Sequence, residues 1–363
     1  MSGNVAIDPQ YWEDVAGYLQ SSGVTTYEQD WLGDKAQSDF NLADPYAFLG
    51  NMAASMAKRG ITLQYCMATP AHFLQSTAYG NVTTIRASQD GFGPSRWTSF
   101  LYSSRFASAI GVWPFADVFM SGETNNLLLA TLSAGPIALG DPMGQLSQDN
   151  LLKVVRSDGV IVKPDVPATP LDSVFLNDAL GIDVPMVAST YSDYGNGLRA
   201  NYIVAFTRTV NNTLTIDPAV YGISGAAYLY DWIGGVGHLI NAGSTYTTNL
   251  ANGFGYFVLT PVGKSGIAFL GDKGHFVTLG KKRIPTLSET GRIDLTVSFA
   301  PGEVHRTLFG YSPFPVAARS VSGTAGTPVW DPATQLFTVI VTPAANTGVA
   351  EIRIGKPFKR SPR

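Results

Sequence analysis

Two aspartates that follow strand-like segments are the first residues in this sequence that could do chemistry. Asp30 ends the β-branched and aromatic stretch "VTTYEQD", and Asp90 ends "TIRASQD", four residues after Arg86. If both side chains face one site, such a pair suits retaining glycoside hydrolysis, in which one carboxylate attacks the sugar carbon and the other protonates the leaving oxygen across ~5–5.5 Å. An aspartate at a strand end also caps helices and forms turns, so the spacing alone leaves both interpretations open.

The first 145 residues predict the elements that would hold these side chains. Helices are predicted to begin at Asp8-Pro9 and Asp44-Pro45, and to run through "RWTSFLYSSRFASAI" and "NNLLLATLSA". The strands predicted between them are "VTTYEQD", "ITLQYCM", "VTTIRAS", "VWPFADVFM" and "GPIALGD". Strands that alternate with helices indicate a parallel sheet whose strands are buried.

Polar residues gather where these predicted strands end, at Asp30, Cys66-Met67, Arg86 to Asp90, Asp117 and Asp141. In a (β/α)₈ barrel the carboxyl ends of the strands form the active site. About five βα units are too few to close such a barrel, and the missing units would precede Met1. We therefore expect a partial TIM barrel in a chain that lacks the N-terminal part of a longer protein.

The second half of the sequence has a different pattern, with short strands separated by Gly, Pro, Asn and Asp turns from about residue 176. These strands run from "VPMVAST" through "GIAFLG" and "HFVTLG" to "VAEIRIG", and their regular spacing predicts an antiparallel β-sandwich. The predicted fold class is therefore α/β plus all-β. The predicted organisation is a barrel part at 1–150, a connector at 151–175, a sandwich at 176–357 and a tail at 358–363.

Composition narrows the classes of function. A net charge of −3 without a basic tract argues against nucleic acid as a partner, and no apolar run approaches the ~20 residues that span a membrane. The start of the chain lacks the features of a signal peptide, which fits an intracellular protein, or a secreted one if an upstream segment is missing. Cys66 is the only cysteine, and His72, His238, His275 and His305 lack ligand spacing, so neither a metal nor another cofactor is predicted.

Three passages resemble the α-galactosidase clan of glycoside hydrolases, most closely the family 36 branch that includes raffinose synthases and seed-imbibition-type proteins. "IRASQD" is similar to the arginine and acid/base aspartate of that branch, four residues apart. "GVWPFADVFMS" followed by "LLLATLSAGPIALGDPMG" is similar to the last two barrel strands, and "RSDGVIVKPDVPATPLDSVF" to the exit from the barrel. The resemblance covers roughly residues 1 to 180 and the following sandwich in outline.

The resemblance implies a role for each candidate site residue. Asp30 would be the nucleophile and Asp90 the general acid/base of a double displacement, and Arg86 would hydrogen-bond a sugar hydroxyl beside the scissile bond. Asp117 would be a further active-site aspartate. Trp31 and Trp113 would offer apolar faces to the sugar ring, and Cys66 and Met67 would line the pocket wall.

Position 28 departs from the family pattern, which has a lysine two residues before the nucleophile. Glu28 offers an acceptor instead of a cationic donor, and a buried polar group that loses its partner costs ~1–3 kcal/mol. This departure bears on the specificity for galactose and not on the α-glycosidic chemistry. Several of these residues have a structural alternative. Arg86 could form a structural ion pair, and Asp117 could support its neighbours without touching a ligand. Glu28 could point outward, and Cys66 could be a small buried side chain.

These inferences predict a retaining α-glycosidase, α-galactosidase-like, that acts on α-linked galactosides or related oligosaccharides. One alternative is a raffinose-synthase-like α-galactosyl transglycosylase, since hydrolysis and transfer share the covalent intermediate. Another is a non-catalytic carbohydrate-binding or vestigial protein. A third is a structural role in which a homo-oligomer covers the open barrel edge.

Overall fold

The computed structural model describes residues 5–36 and 41–357, which form two compact units. The first unit holds the described residues of Met1–Phe119 together with Ser133–Gly140, and the second holds Met120–Leu132 and the described residues from Asp141 onward. The segment 120–132, predicted as part of the barrel, thus groups with the second unit. The predicted tail at 358–363 lies outside the described residues. Nowhere in the described ranges is a helix long and apolar enough to cross a membrane.

The first unit is a partial (β/α)₈ barrel, as the sequence predicts. Its helices are α1 (Pro9–Ser21), α2 (Leu32–Lys35), α3 (Ala43–Lys58), α4 (Pro70–Ser76) and α5 (Pro94–Ile110). Its strands are β1 (Thr26–Gln29), β2 (Thr62–Tyr65), β3 (Val82–Arg86) and β4 (Trp113–Phe115), all parallel in the order β1-β2-β3-β4. The fifth predicted strand, "GPIALGD", is reduced to one parallel bridge between Phe119 and Leu139. Pro136 within it has no N–H to donate to a ladder.

Local signals account for most helix ends in this unit. Asp8 caps α1 by accepting the N–H of Gln10, and Gly111 ends α5 in the left-handed conformation at φ 81°. Helix α3 begins at Ala43, one residue before the start predicted at Asp44, because Asn41 accepts the N–H groups of Ala43 and Asp44 at 2.8 and 2.9 Å. The sequence prediction missed the short helices α2 and α4.

Packing against the helices decides which face of the sheet is apolar. On β2, Leu63 and Tyr65 are fully buried in the core that includes Trp12 and Phe48, whose rings meet edge to face at 5.2 Å. Side chains alternate along a strand, so Thr62 and Gln64 lie on the opposite face. That second face is polar, and it carries the candidate site.

The second unit combines short helices with antiparallel sheets. Its helices are α6 (Thr124–Leu132), α7 (Gln148–Leu151) and α8 (Asp172–Ala179). Its strands are β5 (Thr169–Pro170), β6 (Met186–Asp193), β7 (Arg199–Phe206), β8 (Thr213–Ile216), β9 (Ala227–Asp231), β10 (Val236–Ile240), β11 (Tyr246–Asn249), β12 (Phe254–Pro261), β13 (Ala268–Asp272), β14 (Thr286–Glu289), β15 (Ile293–Ser298), β16 (Arg306–Tyr311), β17 (Ala317–Ser322), β18 (Thr324–Ala325), β19 (Val329–Trp330), β20 (Leu336–Thr342) and β21 (Val349–Gly355).

Face-to-face packing of these sheets forms the predicted β-sandwich. The largest sheet has the order β10-β9-β12-β7-β6-β5, and a second has the order β13-β16-β20-β18. Between them Tyr228 stacks on Tyr311 at 4.4 Å, and Tyr230 meets Phe309 edge to face at 5.1 Å. The remaining sheets are β14-β15-β21-β17 and the hairpin-like pair β11-β8.

One predicted strand of the sandwich is wrong, and nine strands observed in the described residues of the second unit were not predicted: β5, β8, β10, β11, β14, β16, β17, β18 and β19. "HFVTLG", residues 275–280, forms turns rather than a strand, held by hydrogen bonds such as Asp272 N to Thr278 O at 2.8 Å. Among the strands that were not predicted, β16 begins at Arg306 and pairs with both β13 and β20. The wrong strand and β16 both adjoin the buried Asp272, and charged residues locally resemble loop sequence.

Candidate active site

Strand register brings the predicted site residues onto the polar face of the first unit. Thr26 pairs with Thr62 and Glu28 with Gln64 across β1 and β2, and the two threonine hydroxyls are 2.8 Å apart. Continued alternation places Asp30 on the same face, just beyond the carboxyl end of β1. Glu28 and Asp30 are both exposed, so Glu28 is not hidden on the helix-covered side.

The remaining two strands extend this face and show that Trp113 lies deeper than expected. Thr84 pairs with Trp113, and Arg86 pairs with Phe115 at the next level towards the carboxyl ends. Trp113 begins β4 rather than ending it, so it lies one layer below Arg86. Asp117 follows β4 directly, at the same end of the sheet as Arg86.

Arg86 connects two of the candidate carboxylates. Its Nη1 donates to Asp90 Oδ1 at 2.7 Å and lies 3.5 Å from Asp117 Oδ2. The Arg86 side chain is 9% exposed and that of Asp117 is 16% exposed, whereas that of Asp90 is 80% exposed. The ion pair therefore holds one oxygen of the Asp90 carboxylate, while most of that side chain stays open to a ligand.

Cys66 lies between Asp30 and Glu28. Its side chain is buried, and both carboxylates and the Arg86 charge lie close to its thiol. Burial raises the pKa of the Cys66 thiol, the two carboxylates raise the pKa further, and Arg86 acts in the opposite direction. The thiol thus stays protonated, so it serves as a hydrogen-bond donor to a carboxylate and not as a nucleophile.

Asp30 does not cap the following helix. Helix α2 has Trp31 as its N-cap residue, and no side chain makes a capping hydrogen bond there. Asp30 Oδ1 instead accepts the N–H of Trp31 at 2.7 Å. This contact orients the carboxylate, and Asp30 is therefore not the side-chain cap of α2.

Left-handed backbone occurs at three strand ends of this face. Trp31, Met67 and Asp117 have φ values of 60°, 51° and 68°, and each follows β1, β2 or β4 by one or two residues. A non-glycine residue held in this region costs on the order of 1–3 kcal/mol, and such residues cluster at functional sites. Gly33 fixes the first of these turns by donating its N–H to Met67 O at 2.9 Å.

A cavity of about 460 Å³ adjoins Asp30 at the edge strand β1. It is lined by Tyr27, Glu28, Gln29, Asp30, Trp31 and Lys35. The indole of Trp31 is 52% exposed and offers an apolar face. The sequence prediction missed Tyr27, Gln29 and Lys35, although a lysine five residues after the candidate nucleophile was a usable signal.

Other polar groups named from the sequence serve structure. Asp141 accepts hydrogen bonds from the backbone N–H and the hydroxyl of Ser121, both at 2.7 Å, which lower the pKa of its carboxyl. His72 closes the capping box of α4, and His238 stacks on Tyr246 at 4.4 Å. Among the described residues no group of three or more His, Cys, Asp or Glu side chains is arranged to hold a metal ion.

Comparisons with known proteins relate the fold to carbohydrate-active enzymes. No protein-family model matches the chain, and no curated protein matches it in sequence. Among solved structures, the chain is similar to a GH27 β-L-arabinopyranosidase from Geobacillus stearothermophilus, with a TM-score of 0.50 and 13% identity over 70% of this chain and 62% of that one. An isomalto-dextranase from Arthrobacter globiformis T6 gives a TM-score of 0.47 and 13% identity over 97% of this chain and 70% of that one.

The similarity to the arabinopyranosidase concerns the fold. The chain has a partial TIM-type barrel of parallel strands followed by an antiparallel β-domain, the arrangement of the GH27-like structures. It spans 62% of the length of the arabinopyranosidase chain. Identity of 13% shows a shared fold alone, so the chemistry of the site is argued from its residues.

Proposed function

We propose that the first unit carries the site of a retaining α-glycosidase that acts by double displacement on α-linked galactosides or related oligosaccharides. The observation that carries the proposal is the single polar face on which Asp30, Cys66, Arg86 and Asp117 lie at the carboxyl ends of successive strands, with Asp90 held by Arg86 at 2.7 Å. The likeness of the fold to a glycosidase supports the same class of chemistry.

The proposed roles follow from how each carboxylate is held. Asp30 is exposed, and one of its oxygens is fixed by the Trp31 N–H, so it can approach an anomeric carbon in a defined orientation. Asp90 projects beyond Arg86 and protonates the departing oxygen, then activates water or an acceptor sugar in the second step. Arg86 and Asp117 keep Asp90 in place and bind sugar hydroxyls.

Replacement of Asp30 by Asn tests the nucleophile. The neutral amide cannot attack the anomeric carbon, so we expect Asp30→Asn to lower kcat/KM for aryl α-galactosides, α-glucosides or β-L-arabinopyranosides at least ~1,000-fold without loss of folding. Asp34→Asn is the matched control, because Asp34 is exposed on α2 and does not line the cavity. A fluoro-sugar that traps the covalent intermediate should label the peptide containing Asp30; a label elsewhere would contradict this assignment.

Replacement of Asp90 by Ala tests the acid/base role through the leaving group. We expect a fall of about 10²–10⁴-fold with alkyl or sugar leaving groups and a much smaller fall with dinitrophenyl glycosides, which depart without a proton. Equal losses with both kinds of leaving group would contradict general acid catalysis by Asp90. Analysis of the products for transfer to an acceptor sugar separates a hydrolase from a raffinose-synthase-like transglycosylase.

A non-catalytic carbohydrate-binding function is the second candidate, and the exposure of Asp90 is the observation that favours it. A general acid must be shielded from water to keep its proton near neutral pH, and the Asp90 side chain is 80% exposed here. Sugar binding measured by calorimetry without turnover of any aryl glycoside would favour this candidate over the enzyme.

A further inference from the structure

The cavity beside Asp30 is rich in acceptors and short of donors. Glu28 and Asp30 contribute carboxylates, which accept hydrogen bonds only. The Tyr27 hydroxyl donates to Gln29 Oε1 at 3.0 Å, and Gln29 Nε2 donates to Asp30 O at 2.8 Å, so the Tyr27 donor and one of the two Gln29 donors are already engaged. A sugar hydroxyl donates one hydrogen bond and accepts others, and such a site binds sugars well only if a donor is also present.

Lys35 supplies that donor. Its ammonium carries three donors, its side chain is exposed and lines the cavity, and it has no ion-pair partner within residues 5–36 and 41–357. The Trp31 indole adds an apolar face to the same cavity. Acceptors, a cationic donor and an aromatic face together match the hydroxyls and the C–H surface of a pyranose ring.

Helix α2 holds Lys35 in a fixed position relative to the end of β1. Lys35 donates its backbone N–H to Trp31 O at 2.7 Å, and Ala36 donates to Leu32 O at 3.2 Å. Leu32 and Ala36 are fully buried and anchor the turn in the core. The Cβ of any residue larger than Gly33 would lie 3.2 Å from Met67 O, so the turn fits tightly against the end of β2.

We propose that Lys35 is a substrate-binding residue that selects a neutral pyranoside by donating hydrogen bonds to its hydroxyls, while Glu28 accepts a hydrogen bond from a neighbouring hydroxyl. This inference rests on the proposed function, because it assigns Lys35 as a residue that determines the substrate specificity of that site. Because Glu28 and Asp30 share the cavity with a single cation, an acidic sugar would meet net negative charge and is disfavoured.

The test compares Lys35→Met, which removes the donor, with Lys35→Arg, which keeps one. The control is Lys282→Met, because Lys282 is an exposed lysine of the second unit with no ion pair in the described part of the chain. Binding of methyl α-galactoside, methyl α-glucoside and their monodeoxy derivatives is measured by calorimetry, and kcat and KM are measured with aryl glycosides.

We expect Lys35→Met to weaken binding about 10- to 100-fold and to raise KM more than it lowers kcat, with Lys35→Arg within about tenfold of the wild type. The monodeoxy derivative that lacks the hydroxyl bound by Lys35 should have the same low affinity for the wild type as the parent sugar has for Lys35→Met. Its affinity should not fall further when Lys35→Met replaces the wild type. Unchanged affinity in Lys35→Met, or equal loss in the Lys282→Met control, would overturn the role of Lys35.

The outcomes separate this inference from the proposed function. Lysine-dependent sugar binding without turnover of any glycoside supports Lys35 as a binding residue and overturns the glycosidase. Turnover that is independent of Lys35 overturns this inference and leaves the glycosidase intact. Absence of both binding and turnover in the wild type overturns both.

Discussion

Two arginine–carboxylate clusters in this protein use similar side chains and differ in their access to water. In the second unit, Asp272 and Arg283 are essentially unexposed, and Asp272 accepts hydrogen bonds from Arg306 and His275. Glu303 completes the cluster through Arg283 at 2.6 and 2.8 Å. In the first unit, the corresponding carboxylates of Asp30 and Asp90 lie open.

The difference teaches how to distinguish a structural cluster from a candidate site. Both oxygens of Asp272 and both oxygens of Glu303 have partners inside the protein, so neither carboxylate has capacity left for a ligand. Asp90 has an arginine at one oxygen only, and Asp30 remains exposed although it accepts the Trp31 N–H and lies beside the Cys66 thiol. Closed networks stabilise a fold, whereas open ones are available for chemistry.

The largest expected effect comes from breaking the closed cluster. Asp272→Ala removes the acceptor of Arg306 and His275 and a counter-charge of the buried Arg283, and we expect the free energy of unfolding to fall by about 3–5 kcal/mol. Asp294→Ala, which removes a more exposed partner of Arg292 and Arg353, should cost less than ~1 kcal/mol. Chemical denaturation followed by circular dichroism measures both, and similar losses would contradict the comparison.

A pH effect distinguishes His275 from the carboxylates around it. Burial lowers the pKa of His275 below its usual 6.5, with Arg306 and Arg283 acting in the same direction and Asp272 against it. The unfolded chain therefore takes up the proton first, and stability present above pH 6.5 is lost as the pH falls below it, by at most ~1.4 kcal/mol per pH unit. The pKa of Asp272 is lowered too, so its contribution is lost only below the pH at which a free carboxyl titrates, about 4.

His275→Asn should remove this loss, since an amide can donate to Asp272 but does not titrate. We expect the variant to show a flatter profile of stability against pH between 5 and 7, measured by urea denaturation at each pH. An unchanged slope would mean that His275 is not the group that titrates in this range.

Backbone strain gives a smaller effect that also separates the two units. Left-handed non-glycine residues in the second unit are Asn196, Asn252, Gln335 and Asn346, mostly a residue type that tolerates this conformation. In the first unit they include Trp31, so Trp31→Gly should relieve ~1–2 kcal/mol of strain and lose ~0.5–1 kcal/mol to backbone entropy, for a net gain up to ~1.5 kcal/mol. Sugar binding should fall in the same variant, whereas Asn196→Gly should change stability little; a clear loss of stability in Trp31→Gly would refute stored strain.

The smallest effect is expected at Asp90. Its side chain is 80% exposed, so Asp90→Asn should change the free energy of unfolding within ~0.5 kcal/mol, in contrast to Asp272→Ala. Thermal and chemical denaturation measure this change. A loss comparable to that of Asp272→Ala would show that the Arg86–Asp90 pair is structural.

Much of the barrel part could be predicted from the sequence because its signals are local. Asp8 before Pro9 and Gly111 after α5 fix helix ends through hydrogen bonds within a few residues. The alternation of strands and helices likewise predicts the parallel sheet. The pair formed by Arg86 and Asp90 is four residues apart, so it was also visible in the sequence.

Contacts between distant residues were decided only by the tertiary structure. Asp272 and Arg306 are separated by 34 residues, and their charges resemble those of surface loops until β13 and β16 pair. The level of Trp113 and the placement of Cys66 beside Asp30 depend on strand register in the same way. The sequence by itself determined the element types and the polar strand ends, because backbone propensity and side-chain alternation act locally. Which charges are buried and which remain open depends on long-range packing, since desolvation is set by neighbours that the chain brings together only on folding.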